Sequence, residues 1–290
     1  MASIGSSDAE QALAAAIAAL GEGHLDVAYR RVDLALALRD AGDLPRATRL
    51  AEEALAVMVP TLGEGHDDVV DTRAGLAQVL LALGELPRAK AMVEQALAAV
   101  TDRDEHDMHL CVCRLTLAAV LREVGDLSGA KRSLEQVLAT TIARLGEDHP
   151  DVGAIHGQLG DVLEALGERA AAKAMFERSL AITVAHFGDD HPAGAAPRFN
   201  LAVLHELAGE LEQALGLLAA ALEIEERTRG AAHPSTATTR VRVAAVLHKL
   251  GRRDEARAAA TRALADVGSA TADSRDRRAV EVVARQILDR

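Results

Sequence analysis

The sequence predicts an all-α protein, a right-handed α-solenoid built from antiparallel helix pairs. The first observation is compositional: of 290 residues, 49% are hydrophobic but only 1% are aromatic. Strands favour aromatic and β-branched residues, whereas alanine- and leucine-rich segments favour closely packed helices. The second observation is a set of glycines that recur every 41 or 42 residues, with a second marker, ending in histidine, between them. Self-similarity at a fixed period of this length is typical of helical repeat arrays.

Each repeat is predicted to contain two helices separated by one of these glycines. A glycine in the left-handed conformation commonly ends a helix, and a proline after the histidine suits a first helical turn. The first helix therefore runs from the histidine to the glycine, for example over 151–166, and the second follows directly, for example over 170–185. The glycines are Gly42, Gly84, Gly125, Gly167, Gly209 and Gly251. The linker histidines are His24, His66, His106, His149, His191 and His233.

Small residues and leucines occupy fixed positions in these helices. Each first helix carries an aliphatic residue followed by Ala or Gly, at 34–35, 76–77, 117–118, 159–160, 201–202 and 243–244. Each second helix carries an alanine and, eight residues later, a leucine, as in Ala172 and Leu180. Small side chains let helices approach closely while the leucines fill the space between them.

The same pattern defines the expected domain organisation, which is one solenoid over residues 1–290. Residues 1–25 form a half-repeat helix, because Ala9–Leu13 reappear at 51–55 without a preceding first helix. Residues 26–267 form six helix pairs, and 268–290 form a capping helix with Val280, Val283 and Ile287 on one face. The unpaired first helix indicates either an N-terminal cap or repeats that continue upstream in a longer protein.

Charge and cysteine content restrict the partners. The formal net charge of −12 disfavours nucleic acid, because an acidic chain repels the phosphate backbone. Cys111 and Cys113 are two residues apart on a predicted helix, which suits neither a disulfide nor a shared metal. No secretory signal or membrane-spanning segment is visible, so no membrane partner and a cytoplasmic location are expected.

No pattern of residues predicts catalysis, a metal or a cofactor. The linker histidines recur once per repeat, so they cannot converge on one ion, and a local hydrogen bond to backbone at the next helix is expected instead. The periodic glycines punctuate helices, so none of them is expected to form a phosphate-binding loop. A non-catalytic protein is therefore predicted.

A basic residue stands three positions before the leucine in every first helix: Arg31, Arg73, Arg114, His156, Arg198 and Arg240. Second helices carry an acidic column, at Glu10, Glu52, Glu94, Glu135 and Glu177. Half-buried charges are normally paired, which favours ion pairs between the two columns. The alternative is a basic strip for an acidic partner. Since the glutamates end after Glu177, Arg198 and Arg240 are expected to be the least paired.

These features resemble the tetratricopeptide repeat. Gly146-Glu-Asp-His-Pro-Asp-Val152 is similar to the linker of the kinesin-light-chain-type branch, and Phe199-Asn-Leu-Ala202 retains part of its helix motif. The resemblance covers roughly residues 9–267, although Ala, Leu or Val replace most of the family's aromatic residues. It implies a protein–protein interaction scaffold that binds a peptide or helix of a partner in a concave groove lined by first helices.

Projection at about 100° per residue places four positions toward that groove: two before the leucine, and two, five and six after it. The floor is predicted to be apolar and the rims charged, with side-chain amides available to a peptide backbone. The candidate groove residues are Asp33, Arg39, Arg122, Gln158, Phe199, Asn200, Glu206 and Arg242. Alternatively, these positions are simply solvated.

Three functions remain open. The favoured one is the peptide-binding scaffold, as a monomer or weak homo-oligomer without cofactors. The second is the regulatory or sensory region of a larger bacterial signalling protein, such as a kinase or ATPase. The third is a structural module that homo-oligomerises through its terminal repeats.

Overall fold

The computed structural model describes residues 6–100, 107–268 and 275–289. This part of the chain is all-α: it contains fourteen α-helices, one 3₁₀ turn at Pro192–Gly194 and no strand. The helices are α1 (Ser6–Leu20), α2 (Leu25–Asp40), α3 (Leu44–Leu62), α4 (Asp67–Ala82), α5 (Leu86–Ala98), α6 (Met108–Val124), α7 (Leu127–Leu145), α8 (Pro150–Ala165), α9 (Arg169–Phe187), α10 (Ala195–Ala208), α11 (Leu211–Arg229), α12 (Pro234–Lys249), α13 (Arg253–Gly268) and α14 (Arg275–Leu288). The predicted fold class is confirmed.

The helices divide into two compact units, Met1–Arg144 and Leu145–Arg290. The first unit holds the pairs α2–α3 and α4–α5, with α1 packed on α2 and α6 packed on α4 and α5, followed by α7. Its largest fully buried side chains include Met58, Leu76 and Leu80. The second unit holds the pairs α8–α9, α10–α11 and α12–α13, followed by α14. That all repeats form one uninterrupted solenoid stays a prediction.

The linker histidines begin the first helices, as predicted. In each of five linkers, the histidine Nδ1 accepts a hydrogen bond from the backbone N–H two residues later, as from Asp151 to His149 at 3.2 Å. This bond satisfies one of the amide groups that a helix N-terminus leaves unpaired. His106 lies outside the described residues, and Asp107 caps α6 instead, accepting from the His109 and Leu110 N–H groups.

The periodic glycines end the first helices. Gly167 has φ +80°, a left-handed conformation that a side chain would strain. Its N–H donates to the Glu164 carbonyl at 2.8 Å, and the Glu168 N–H donates to the Leu163 carbonyl at 2.9 Å. These crossed bonds close the helix and turn the chain directly into α9.

The buried basic column is paired, but with other partners than predicted. Arg31, Arg73 and Arg198 each bind the acid nine residues earlier, in the linker, rather than a glutamate of the acidic column. Those partners are Glu22, Glu64 and Asp189. The linker folds back over the start of the first helix and brings this carboxylate to the guanidinium, and Glu22 and Gly194 also accept through their backbone carbonyls. Arg31 additionally contacts Glu53 at 3.2 Å.

The expectation that Arg198 and Arg240 are the least paired is wrong. They are 4% and 2% exposed. Arg240 lacks a linker acid, because position 231 is Ala, and pairs with Glu226 and Asp266. The acidic column joins successive second helices instead, since Glu10 contacts Arg46 and Glu52 contacts Arg88. A free basic strip is therefore excluded at Arg31, Arg73, Arg198 and Arg240.

The helix at the C-terminal end covers the last pair. On α14, Val280, Ala284 and Ile287 are buried against a core that includes residues of α12 and α13, whereas Val282 is 56% exposed. The apolar face of α14 is therefore packed against α12 and α13; that this helix caps the array stays a prediction. None of the helices that the structure describes is long and apolar enough to cross a membrane.

Candidate functional site

A pocket of about 440 Å³ opens on the first helices of the first unit, and we call it the α2–α4 pocket. Its walls come from α2, α4 and the start of α6, with α3 behind them. Its lining comprises Tyr29, Val32, Ala35, Leu36, Arg39, Ala47, Ala51, Met58, Asp68, Asp71, Thr72, Gly75, Leu76, Gln78, Val79 and Val112. The volume is within the range of sites that hold a bulky side chain or a small ligand.

The interior of the pocket is apolar because small residues open it and aliphatic residues line it. Val32 and Leu36 are four residues apart and therefore share one face of α2. Gly75 leaves space on α4, where a Cβ would meet no atom within 4 Å. Leu36 is 43% exposed, which leaves apolar surface in contact with water. Covering that surface would be favourable at about 25 cal/mol for each Å².

One rim of the pocket is acidic. The Tyr29 hydroxyl donates to Asp68 at 2.6 Å, and this hydrogen bond raises the pKa of Tyr29. The Asp71 carboxylate lies 2.6 Å from Nδ1 of His109, whose Nε2 is 3.5 Å from Asp67. The hydrogen bond to Asp71 raises the pKa of His109. Two carboxylates, Asp67 and Asp71, thus lie against His109 at the N-terminal ends of α4 and α6, and a third, Asp68, accepts from Tyr29.

The three groove residues that were predicted in the first unit lie in different surroundings. Arg39 lines the pocket, but its guanidinium is held by Asp40 at 2.9 Å. Asp33 is exposed outside the pocket and pairs with Arg30 at 3.2 Å. Arg122 pairs with Glu123 at 3.3 Å near the end of α6. Of these three residues, only Arg39 belongs to the pocket.

Sequence reasoning missed Asp71 and Val112, which, like Tyr29, occupy the repeat position five residues before the leucine. On a helical projection this position lies between two predicted groove positions, the one two residues after the leucine and the one six residues after it. It therefore shares their face of the helix. The projection alone could therefore have found them. Conversely, Ala74 was predicted to line the floor at the position of Val32 but is only 1% exposed, within the core.

In the second unit, three predicted residues meet in a cluster. Arg242 Nη1 donates to Glu206 Oε2 at 3.0 Å, and its guanidinium carbon lies 5.6 Å from the centroid of the Phe199 ring. Lys249 donates to the other carboxylate oxygen at 2.7 Å. Burial acts to raise the pKa of Glu206, but the hydrogen bonds from Lys249 and Arg242 outweigh it and lower the pKa.

The remaining two candidates also lie in this unit. The Asn200 side chain donates to Asp161 at 2.7 Å, so this amide already serves a bond between α10 and α8. Gln158 is exposed on α8. A ligand here would have to compete with Glu206 for Arg242 and with Asp161 for Asn200. The α2–α4 pocket, which is open and apolar, is the better candidate site.

The residues of the pocket and of the Glu206 cluster offer apolar surface, hydrogen bonds and charge. In the described ranges, no three His, Cys, Asp or Glu side chains are placed to hold a metal ion. Cys111 and Cys113 are buried, and burial raises the pKa of the Cys111 thiol. His156 replaces arginine in the basic column, and burial, followed by the charge of Arg178, lowers its pKa.

Comparison with known proteins identifies the family. The tetratricopeptide repeat model matches residues 31–102, 112–184 and 195–266, which together make up most of the chain. Comparison with curated protein sequences gives no match. Repeats of this family generally mediate protein–protein interaction on a scaffold that is typically non-catalytic.

Solved structures of similar fold are repeat solenoids. A Podosopora anserina protein of the kinesin light chain type, with nearly identical TPR-like repeats, is 24% identical, with a TM-score of 0.62 over 71% of this chain and 98% of that chain. BtubC (BKLC) from P. vanneervenii is 21% identical, with a TM-score of 0.65 over 78% and 91%. A chain of the APC/C hetero-tetramer Cut9-Hcn1 is 14% identical, with a TM-score of 0.68 over 98% and 46%. The chain therefore belongs to the tetratricopeptide repeat family, and its fold is similar to that of kinesin light chain-like repeats.

Proposed function

We propose that this protein is a non-catalytic interaction module that binds a peptide segment of a partner protein in the α2–α4 pocket. The observation that carries the proposal is the open apolar pocket itself, with Leu36 at 43% exposure beside it. Peptide recognition by repeat arrays uses such first-helix surfaces, because apolar side chains of the peptide fill them and exclude water.

A pocket-filling variant tests the proposal without unfolding the protein. Gly75 lies in the middle of α4 and has open space at its Cβ, so Gly75→Leu places a side chain into the pocket. Gly216 in α11 is the matched control, because a Cβ there also meets no atom within 4 Å. Peptides are selected from a random displayed library on the wild-type protein, and their affinities are then measured by fluorescence anisotropy.

Gly75→Leu is expected to weaken binding of the selected peptides by at least tenfold, the loss of about 1.4 kcal/mol. Gly216→Leu should leave the affinity unchanged. The proposal is overturned if the selected peptides bind Gly75→Leu as tightly as the wild type, or if selection enriches no peptide.

A further inference from the structure

Among the residues that line the α2–α4 pocket, negative charges outnumber positive charges. Three charged residues line it: Arg39, Asp68 and Asp71. Arg39 is neutralised by Asp40, since both its Nε and its Nη2 donate to the same Asp40 oxygen at 3.0 and 2.9 Å. The apolar interior is thus bordered by two carboxylates, without an available cation among the lining residues.

Both carboxylates are accessible from solvent. The side chains of Asp68 and Asp71 are 45% and 51% exposed. Asp68 accepts from the neutral Tyr29 hydroxyl, and Nδ1 of His66, 3.5 Å from the Asp68 carboxylate, is itself an acceptor from the Asp68 backbone N–H. Asp71 contacts His109, whose ring also lies 3.5 Å from Asp67, so one histidine is shared between two carboxylates. Such a rim attracts a cation and repels an acidic ligand.

We propose that the occupant of the α2–α4 pocket is a peptide segment in which a bulky apolar residue stands beside a lysine or arginine. The apolar side chain enters between Val32, Leu36 and Val79, and the cationic group binds Asp68 and Asp71 at the rim. This inference rests on the proposed function and adds the chemistry of the partner. A second copy of the chain is a less suitable occupant, because two molecules that each carry a charge of −12 repel one another.

The test combines the composition of the selected peptides with the removal of the two rim charges. In Asp68→Asn/Asp71→Asn the amide oxygen can still accept from Tyr29, so the shape of the pocket is kept. The matched control is Glu135→Gln/Glu177→Gln, which changes the net charge equally at exposed positions on α7 and α9.

The library is expected to enrich peptides with Lys or Arg next to a bulky apolar residue. The rim variant should weaken their binding about tenfold, and raising NaCl from about 0.05 to 0.5 M should weaken wild-type binding several-fold. The control variant should bind within about twofold of the wild type.

Several outcomes overturn the inference and leave the proposed function intact. Pocket-dependent peptides that are acidic or uncharged would do so, as would peptides that lose affinity in Gly75→Leu but not in the rim variant. Self-association that Gly75→Leu abolishes, measured by analytical ultracentrifugation, would instead overturn both the inference and the proposed function, because the occupant would then be a second copy of the chain. Failure to find any peptide sensitive to Gly75→Leu would overturn both proposals.

Discussion

At the scale of single residues, His109 links the acidic rim of the pocket to solution pH. Its ring joins α6 to α4 through Asp71 at 2.6 Å and Asp67 at 3.5 Å. The hydrogen bond to Asp71 raises the pKa of His109 in the folded protein above the ordinary value of 6.5. A raised pKa in the folded state means that folding favours the protonated histidine, so the ion pair stabilises the protein at low pH.

His109→Gln is therefore expected to lower the free energy of unfolding below about pH 6.5, by less than ~1 kcal/mol. The difference in unfolding free energy between the variant and the wild type should shrink as the pH rises through the pKa of His109 in the folded protein, and it should vanish above that pKa. Urea denaturation across this pH range measures it. His248→Gln is the control, since His248 forms no ion pair in the described part of the chain. A difference that stays constant with pH would contradict the ion-pair explanation.

At the scale of helices, the second unit shows how a repeat accommodates its one large core aromatic residue. Phe176 on α9 is fully buried, and the facing position on α8 is Gly160, where the other repeats have alanine. A Cβ at Gly160 would lie 2.5 Å from Cε1 and 2.7 Å from Cδ1 of the Phe176 ring. In the following repeat, Ala202 and Leu218 lie in one core cluster. The glycine therefore compensates for the size of the ring.

Gly160→Ala is expected to lower the free energy of unfolding by about 1–2 kcal/mol. Alanine favours a helix by ~1 kcal/mol over glycine, but overpacking costs about 1–3 kcal/mol, and a fully buried ring has no room to move. Combining it with Phe176→Leu recreates the alanine–leucine pair of the next repeat, so the double variant should be more stable than the sum of the single changes predicts. Urea denaturation measures this coupling.

Gly75→Ala, on α4 of the first unit, is the control for Gly160→Ala on α8. Its added Cβ meets open space on α4, so it should stabilise the protein by up to about 1 kcal/mol. If the changes in unfolding free energy caused by Gly160→Ala and Phe176→Leu simply add in the double variant, the contact between residues 160 and 176 does not limit the packing.

The helices could be predicted from the sequence because six copies of the repeat fix each position independently. The bounds of α8, Pro150–Ala165, differ by one residue at each end from the predicted 151–166. Ion-pair partners could not be predicted in this way. Periodicity indicates only that Arg31 and Glu10 each belong to a column that recurs at a fixed position of the repeat. The partner of Arg31 is Glu22, which the linker backbone brings to the guanidinium, and the path of that backbone depends on the fold.

The binding face was predicted in part for the same reason. The projection assigned Leu36, Arg39 and Gln78 to the face that forms the pocket. It could not show that Arg242 and Asn200 are held by Glu206 and Asp161, because contacts between successive first helices depend on how the repeats stack. Side-chain type and helical phase therefore locate a surface, whereas the availability of each polar group follows from its neighbours.

At the scale of the whole molecule, an array of repeats is stabilised by each repeat and by its contacts with adjacent repeats. Loss of one helix should therefore loosen the helices packed against it and leave distant ones protected. The α14 helix buries Ile287, at 6% exposure, in the core that includes residues of α12 and α13. A carboxylate placed there would be buried among the apolar side chains of that core, and burying a charge in such surroundings costs several kcal/mol.

Ile287→Asp is therefore expected to release α14 and to lower the protection of backbone amides in α12 and α13 by at least tenfold, about 1.4 kcal/mol, with α2–α4 unchanged. Hydrogen–deuterium exchange with mass spectrometry resolves the two regions. Val282→Asp is the matched control, because Val282 is on the same helix but 56% exposed, and exchange should stay at the wild-type rate. Equal loss of protection in α2–α4 would mean that the chain unfolds as a single cooperative unit, so that stability in this protein is not a sum over neighbouring repeats.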